Sequence, residues 1–343
     1  METEIKEKIL AQLRQIKDPS LNRDIVALGM VKDIQLESGC VFVQLESSGS
    51  SSSDQALMKS SVQQSLKTLE GVKEVTVQFT APEKRGPAFQ PKMPIPGVRH
   101  MVAVASGKGG VGKSTVTVNL ACALTQLGFR VGIMDGDIYG PNIPLMLGVP
   151  PETKPSVTPD GKILPVVSLG IKMISMALLV PADQPMVWRG PMLHSAVTQF
   201  VQKVEWGELD FLLVDLPPGT GDVQLSLVQT VPLTGAVIVT TPQEVALMDV
   251  RKGILMFRKT EVPILGIVEN MTGEVFGRGG GEETARRFSA PFLGEIPLDS
   301  SIRLGGDRGR PAAISDNSSP ELLQAFRSAA EQLAEALNQP EAG

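Results

Sequence analysis

A chain of 343 residues is long enough for two folded domains, one of about 240 residues and one of about 80. It carries 37 acidic and 32 basic residues, a net charge of −5, and no run of five or six Lys or Arg, which argues against a nucleic-acid partner. Two cysteines and two histidines exclude a disulfide framework and, in practice, a conventional zinc site within one chain. The charged N-terminus and the interrupted apolar stretches predict a cytoplasmic protein that does not enter a membrane.

Residues 1–80 have the pattern of a small α+β domain. Helical spacing of apolar residues opens the chain, and two alternating segments, residues 31–36 and 40–45, predict a hairpin-like pair of strands. A helix over residues 57–69 and a strand over residues 75–79 follow.

Residues 81–97 contain five prolines and four charged residues without apolar periodicity. This composition is typical of a linker rather than of a packed element. We therefore expect a small domain at residues 1–80, a Pro-rich linker at residues 81–97 and a larger domain at residues 98–343.

In the larger domain, short apolar runs alternate with helical segments. Near-continuous apolar strands of this kind belong to a parallel sheet that is covered by helices on both faces, and such sheets bind ligands at the carboxyl ends of their strands. Five strands are predicted, at residues 102–105, 131–135, 211–216, 236–240 and 264–269. The predicted fold class is α/β, with a mostly parallel sheet, preceded by the small α+β domain.

The last predicted helix spans residues 320–337. Its apolar residues form one stripe, and its other face is mainly acidic, which an anionic membrane would repel. We expect this helix to pack on its own domain.

The most specific motif is the segment GKGGVGKST, residues 107–115, which we call the P-loop. It follows an apolar strand, precedes a predicted helix over residues 116–127, and fits the pattern G-x-x-x-x-G-K-[ST]. In that pattern the backbone N–H groups and the helix N-terminus hold phosphates, Lys113 neutralises the β- and γ-phosphates, and the Ser114 hydroxyl binds Mg²⁺. The predicted nucleotide contacts are Gly107, Lys108, Gly109, Gly110, Val111, Gly112, Lys113, Ser114 and Thr115. The domain is therefore predicted to be a P-loop NTPase.

Polar residues at the ends of other strands extend this site. Asp137 and Asp215 are carboxylates that can hold Mg²⁺ or orient a water, and Gly219 can bring its N–H to the γ-phosphate. Asn270 offers a donor and an acceptor that suit the adenine edge, and a guanine-specific N-K-x-D is absent, so ATP is favoured over GTP. An Asx turn at Asp137 and a simple strand cap at Asn270 are the alternatives.

The additional lysine of the P-loop, Lys108, resembles the deviant Walker A sequence of the family that contains MinD, ParA and the nitrogenase iron protein. In that family the second lysine reaches the nucleotide of the other subunit. The resemblance implies an ATPase that dimerises with ATP, with Lys108 in the catalytic set beside Lys113, and it makes Asp137 the water-positioning residue. A solvated loop lysine is the alternative for Lys108.

Five further segments together resemble the Mrp/ApbC family: DGDIYGPN at residues 135–142, WRGPM at 188–192, DLPPGTGD at 215–222, TPQE at 241–244 and VENM at 268–271. The N-terminal domain resembles the iron–sulfur assembly domain that is often fused to this family. The resemblance implies a cytoplasmic homodimer that hydrolyses ATP, carries an iron–sulfur cluster, for which a 4Fe–4S cluster is the candidate, and works with iron–sulfur client or scaffold proteins.

The chain departs from this family at two expected cysteine positions. No CxxC pair follows the VENM segment, and residues 47–53 are serines and one glycine where the small domain usually has a cysteine. Because serine is a poor anionic ligand, the cluster ligands are unknown, and Cys40 and Cys122 are both predicted to be buried core residues. An ATP-dependent scaffold or regulator that no longer binds a cluster is the alternative function. Positioning on DNA or a membrane is disfavoured by the acidic charge.

Overall fold

The computed structural model describes residues 2–17, 24–26, 30–37, 40–46, 52–69, 72–80, 94–137, 140–179 and 190–338. These residues divide into two compact units, one within residues 1–90 and the other within residues 91–343. Most of the predicted linker lies outside the described residues, so the boundaries at residues 80 and 97 stay a prediction.

The first unit is a three-stranded sheet with two helices. Its elements are α1 (Glu2–Leu13), β1 (Val31–Glu37), β2 (Cys40–Glu46), α2 (Ser52–Leu66) and β3 (Glu74–Thr80). The strand order is β1-β2-β3, with β1 and β2 antiparallel and β2 and β3 parallel. The buried faces of the helices and of alternating strand residues form one hydrophobic core, as the apolar spacing predicts.

Cys40 is exposed, so the prediction that it is buried is wrong. It is the first residue of β2, whose buried side chains are Val41, Val43 and Leu45. Because successive side chains of a strand point to opposite faces, this register directs Cys40 away from the core.

The second unit contains an eight-stranded sheet. Its strands are β4 (Val98–Ala105), β5 (Val131–Asp135), β6 (Val166–Ser168), β7 (Ile171–Ser175), β8 (Leu209–Asp215), β9 (Gly235–Thr240), β10 (Ile264–Thr272) and β11 (Phe292–Pro297). The order is β11-β10-β9-β4-β8-β5-β7-β6, and every pairing is parallel except β6 with β7. The carboxyl ends of the parallel strands therefore meet at one edge of the sheet, where the predicted site residues lie.

Helices cover both faces of this sheet, and each face has its own hydrophobic core. They are α3 (Lys113–Gln126), α4 (Ile143–Met146), α5 (Gly190–Lys203), α6 (Asp222–Thr230), α7 (Glu244–Lys259), α8 (Gly280–Arg287), α9 (Ser300–Asp307) and α10 (Pro320–Asn338). The α10 helix packs against α3 and β11 through Leu322, Phe326 and Leu333, each at most 1% exposed. The prediction that the last helix packs on its own domain is confirmed, as is the α/β fold class. Every helix in the described part of the chain is too short or too polar to span a membrane.

Candidate functional site

The P-loop joins the end of β4 to the first residue of α3. The φ of Gly112 is +81°, in the left-handed region that favours glycine, and a Cβ there would lie 2.3 Å from Asn270 Nδ2. Both the backbone conformation and this neighbour therefore require glycine before Lys113. The Lys113 and Ser114 side chains start at the N-terminus of α3, where unpaired N–H groups favour a phosphate.

Asp215, at the end of β8, gathers polar side chains from the first turns of α3. Lys113 Nζ and Ser114 Oγ each lie 2.6 Å from Asp215 Oδ2, and Thr117 Oγ1 lies 2.6 Å from Asp215 Oδ1. Asp215 is fully buried and Lys113 is 6% exposed. Residues about 100 positions apart in the sequence thus form one buried, charge-assisted network.

Two further carboxylates follow β5. Asp137 Oδ2 lies 4.0 Å from Lys113 Nζ, and the Asp137 N–H donates to Asp135 Oδ1 over 3.2 Å. Asp135 is 1% exposed and accepts a hydrogen bond from Ser175 Oγ over 2.8 Å. Burial, together with the negative charge of Asp215, raises the pKa of Asp135 to about 8. Asp135 is therefore harder to ionise than an ordinary carboxyl group, and Asp137 is the carboxylate of this pair that lies 4.0 Å from Lys113 Nζ.

The donor set at Ser114, Asp215 and Asp137 fits a magnesium ion. It consists of one hydroxyl and carboxylate oxygens, which are the hard ligands that Mg²⁺ prefers, and it lies at the N-terminus of a helix that favours phosphate. In this structure Lys113 supplies the positive charge beside Asp215.

The loop after β8, residues 216–221, is called the switch loop below. The φ of Gly219 is +100°, and its N–H donates to the Ser106 carbonyl oxygen over 3.0 Å. Ser106 directly precedes the P-loop, so this bond ties the two loops together. The predicted contact of the Gly219 N–H with a γ-phosphate requires that this bond be exchanged.

Asn270, which contacts the P-loop from β10, and Lys108, which belongs to the P-loop, have different surroundings. Asn270 is 4% exposed, and its Nδ2 donates to the Val111 carbonyl oxygen over 2.8 Å. This contact supports the P-loop from β10, and the predicted adenine contact stays a prediction. Lys108 is half-buried, and its carbonyl oxygen accepts a hydrogen bond from Ser106 Oγ over 3.0 Å. Its predicted role across a dimer interface also stays a prediction.

The remaining predicted nucleotide contacts of the P-loop differ in their exposure and packing. Gly109 and Gly110 are exposed, Val111 is 2% exposed, and the Thr115 carbonyl oxygen accepts a hydrogen bond from Asn119 Nδ2 over 2.8 Å. Gly107 packs against the α7 backbone, because a Cβ there would lie 2.4 Å from the carbonyl carbon of Asp249.

Sequence reasoning missed two side chains of the site, Thr117 and Ser175. Thr117 follows Lys113 by four residues, so helical spacing places both side chains on one face of α3. This spacing is the sequence pattern from which Thr117 could have been predicted. Ser175 ends β7, which was not predicted as a strand, and nothing in its local sequence points to Asp135.

The residues present do not fit a cysteine-ligated cluster at the turn after β10. That turn is closed by two hydrogen bonds between the backbones of Gly273 and Gly277, and it contains no cysteine. Cys122 lies in α3 at 2% exposure, where burial raises the pKa of its thiol to about 12. Cys40 belongs to the first unit. No group of three or more His, Cys, Asp or Glu side chains in the described ranges could hold a metal ion.

Comparison with known proteins supports the same assignment over nearly the whole chain. Residues 97–334 match the family model described as NUBPL iron-transfer P-loop NTPase, and residues 6–79 match the model of an iron–sulfur cluster assembly protein. The iron–sulfur cluster carrier protein of Deinococcus radiodurans is 46% identical over 338 residues, which cover 95% of this chain and 94% of that protein. The carrier protein of Escherichia coli K12 is 49% identical over 251 residues, which cover 70% of this chain and 67% of that protein.

Solved structures agree with the fold of the second unit. A nucleotide-binding protein of Archaeoglobus fulgidus in complex with ADP is 39% identical, with a TM-score of 0.58 over 67% of this chain and 92% of that one. The cell division ATPase MinD of Pyrococcus furiosus is 28% identical, with a TM-score of 0.53 over 69% of this chain and 98% of that one. The resemblance predicted from the motifs is thereby confirmed, and the chain belongs to the family of NUBPL-type iron-transfer P-loop NTPases, with an iron–sulfur cluster assembly domain at its N-terminus.

Proposed function

We propose that this protein is a cytoplasmic homodimer that binds and hydrolyses ATP, and that it uses this cycle to carry iron–sulfur clusters to client or scaffold proteins. The observation that supports this proposal most directly is the buried network of Lys113, Ser114 and Asp215 beneath the P-loop. The 46% identity to an iron–sulfur cluster carrier protein over almost the full length supports an iron–sulfur cluster as the cargo. No nucleic acid or membrane takes part in the proposed cycle.

The side chains of the site divide the proposed hydrolysis between them, and Asp137 has two tasks. Lys113 exchanges its bond to Asp215 for the β- and γ-phosphates. Ser114, Asp215 and Asp137 would hold Mg²⁺, which would neutralise phosphate charge. Asp137 orients the attacking water. The water oxygen bonds to the γ-phosphorus, the bond to the β,γ-bridging oxygen breaks with its electrons leaving on ADP, and a water proton ends on the released phosphate.

The dimer depends on Lys108 in this proposal. Lys108 reaches the phosphates of the other subunit, so that two subunits close only when ATP is bound. The Gly219 N–H exchanges Ser106 for the γ-phosphate and returns after hydrolysis, which makes the switch loop the reporter of nucleotide state.

A pair of lysine variants tests the nucleotide site. Lys113→Ala is expected to weaken ATP binding by about 100-fold or more, because a charge-assisted contact to the phosphates is lost. Lys108→Ala is expected to keep most of the ATP affinity but to lose ATP-driven dimerisation and turnover. Calorimetric titration and light scattering with and without ATP measure both. Equal ATP affinity in the wild type and Lys113→Ala would contradict the assignment.

An ATP-dependent scaffold without its own cluster is the second candidate function. The specific observation in its favour is the cysteine-free turn after β10, together with the buried thiol of Cys122. Anaerobic reconstitution with iron and sulfide, for the wild type, Cys40→Ala and Cys122→Ala, separates the two functions. Stable iron that one substitution removes indicates a carrier with relocated ligands, and absence of iron in all three proteins indicates the scaffold.

A further inference from the structure

A cavity of about 520 Å³ lies between the two loops that follow β5 and β8. Among the described residues its wall includes Asp137 and Gly140 on one side and Pro217, Pro218 and Gly221 of the switch loop on the other. Asp137 is also 4.0 Å from Lys113 Nζ, so the cavity opens at the phosphate end of the P-loop. The cavity therefore lies beside Lys113, the residue that the proposed site places on the γ-phosphate.

Gln224, in the first turn of α6, completes the wall of the cavity. The residue is 2% exposed, and its Oε1 finds no hydrogen-bond partner within the described part of the chain. A buried amide oxygen without a donor is costly, and such groups are rare in folded proteins. The position is therefore suited to a donor that enters the cavity during the reaction.

We propose that Gln224 positions the attacking water together with Asp137, an inference that rests on the proposed ATP hydrolysis. Both groups are acceptors, the amide oxygen of Gln224 and the carboxylate of Asp137. A water that donates one O–H to each has both protons occupied, and its lone pair then points away from them toward the γ-phosphorus. Asp137 alone fixes only one O–H direction, whereas two acceptors on opposite walls fix the orientation of the molecule.

The same geometry makes the water site sensitive to the switch loop. Gln224 lies five residues after Gly219, and the switch loop leads directly into α6. When the Gly219 N–H leaves the Ser106 carbonyl oxygen, the first turn of α6 and its glutamine follow the loop. Water positioning is thereby coupled to the presence of a γ-phosphate.

The test compares Gln224→Met with Gln229→Met in the full-length protein. Methionine has nearly the length of glutamine but cannot accept the water, and Gln229 lies on the same helix, half-buried, without belonging to the cavity wall. We expect Gln224→Met to lower kcat by roughly 10- to 100-fold with an unchanged KM for ATP, because only the orientation of the water is lost. Gln229→Met is expected to behave as the wild type.

A binding measurement gives a readout apart from turnover. ADP with tetrafluoroaluminate mimics the planar phosphoryl group with its in-line water, so its affinity for Gln224→Met is expected to fall by about tenfold, while the affinity for ADP alone stays within about two-fold. If Gln224→Met does not fold, Gln224→Asn, which withdraws the amide by one methylene, carries the same expectations.

A kcat of Gln224→Met within about two-fold of the wild type would overturn the inference, as would an equal loss of affinity for ADP and for ADP with tetrafluoroaluminate. Failure of the proposed function gives a different result. In that case the wild type itself does not hydrolyse ATP, or Lys113→Ala retains its ATP affinity.

Discussion

Thr117 joins the buried network of the site from the face of α3 that also carries Lys113. Its hydroxyl lies 2.6 Å from Asp215 Oδ1. Asp215 is fully buried and is also paired with Lys113. Valine has the same shape but no donor. We expect Thr117→Val to lower the free energy of unfolding by about 1.5–3 kcal/mol, the usual value of a hydrogen bond to a charged group. Urea denaturation measures this change.

Thr125→Val is the matched control for Thr117→Val. The Thr125 hydroxyl also lies on α3, but it donates to the Ala121 carbonyl oxygen over 2.9 Å and touches no charge. Its removal is expected to cost less than about 1 kcal/mol. Equal losses in the two variants would show that Asp215 does not depend on the threonine.

His100, on β4 and outside the nucleotide site, is expected to make the stability of the protein depend on pH. Both ring nitrogens are buried without a hydrogen-bond partner among the described residues, and the ring packs 5.7 Å from that of Phe211. Burial, and then the positive charge of Arg99, lowers the pKa of His100, against the opposing charge of Asp210. Below about pH 6.5 the unfolded chain therefore binds a proton more readily than the folded chain. The free energy of unfolding decreases as the pH is lowered through this range.

His100→Phe tests this sign. Phenylalanine keeps the ring contact and removes the titration. Between pH 7 and pH 5 the wild type is expected to lose more unfolding free energy than the variant, as measured by urea denaturation at both pH values. Identical losses would exclude His100 as a source of the pH dependence.

At the residue level, the P-loop motif predicts Lys113 and Ser114, and a carboxylate directly after an apolar strand predicts Asp215, because a phosphate site needs those residue types at those places. Thr117, Ser175 and Gln224 could not be predicted in the same way. The roles of Thr117 and Ser175 come from partners on other strands, and the role inferred for Gln224 comes from its place in the cavity wall. A hydroxyl or amide side chain has no local sequence pattern that identifies such surroundings. The exposure of Cys40 could have been predicted, because the apolar residues Val41, Val43 and Leu45 mark the core face of β2 and alternation places Cys40 on the opposite face.

At the level of elements, the switch loop depends on one backbone conformation. The φ of Gly219 is +100°, and a Cβ there would meet nothing within 4 Å, so an added methyl group would cost only backbone strain. We expect Gly219→Ala to lower the unfolding free energy by about 1–2 kcal/mol and to slow ATP hydrolysis, because the loop leaves the conformation that reaches Ser106. Urea denaturation and phosphate release measure the two effects.

Gly221→Ala provides the comparison for Gly219→Ala. Gly221 belongs to the same loop and is equally open around its Cβ, but its φ of −83° suits any residue. We expect Gly221→Ala to cost about 0.5–1 kcal/mol, less than Gly219→Ala, because Gly221 is the N-cap of α6, where glycine is preferred over alanine. If both alanines have the same effect, the cause is loss of loop freedom rather than strain at Gly219.

The predicted strands of the second unit were found because parallel strands buried on both faces are short apolar runs. The strands that were not predicted lie at the two ends of the sheet: β11 and β6 are its edge strands, and β7 lies between β6 and β5. β11 contains Gly294 and Glu295, and the β6–β7 pair is a short antiparallel addition beyond β5. Edge strands have one open side and fewer buried positions, so their composition carries less of the apolar signal.

At the level of the whole molecule, each unit has its own hydrophobic core. The core of the first unit consists of residues between Ile9 and Val77, and the two cores of the second unit begin at Ile95 and Val102. A unit that buries its own apolar surface is able to fold alone. The domain division predicted from the Pro-rich segment therefore leads to a test with separated chains.

Residues 91–343 expressed alone are expected to bind ADP with a dissociation constant within about two-fold of the full-length value, because the P-loop, Asp215 and Asn270 all lie inside this unit. Full-length protein is expected to unfold in two thermal transitions, one of which matches the isolated unit. Lys113→Ala in the isolated unit is the control, since it should weaken ADP binding strongly; circular dichroism checks that this variant is folded, because the substitution leaves the buried Asp215 without its partner. A single transition in the full-length protein, together with an isolated unit that does not bind ADP, would mean that the N-terminal unit is part of the nucleotide-binding fold.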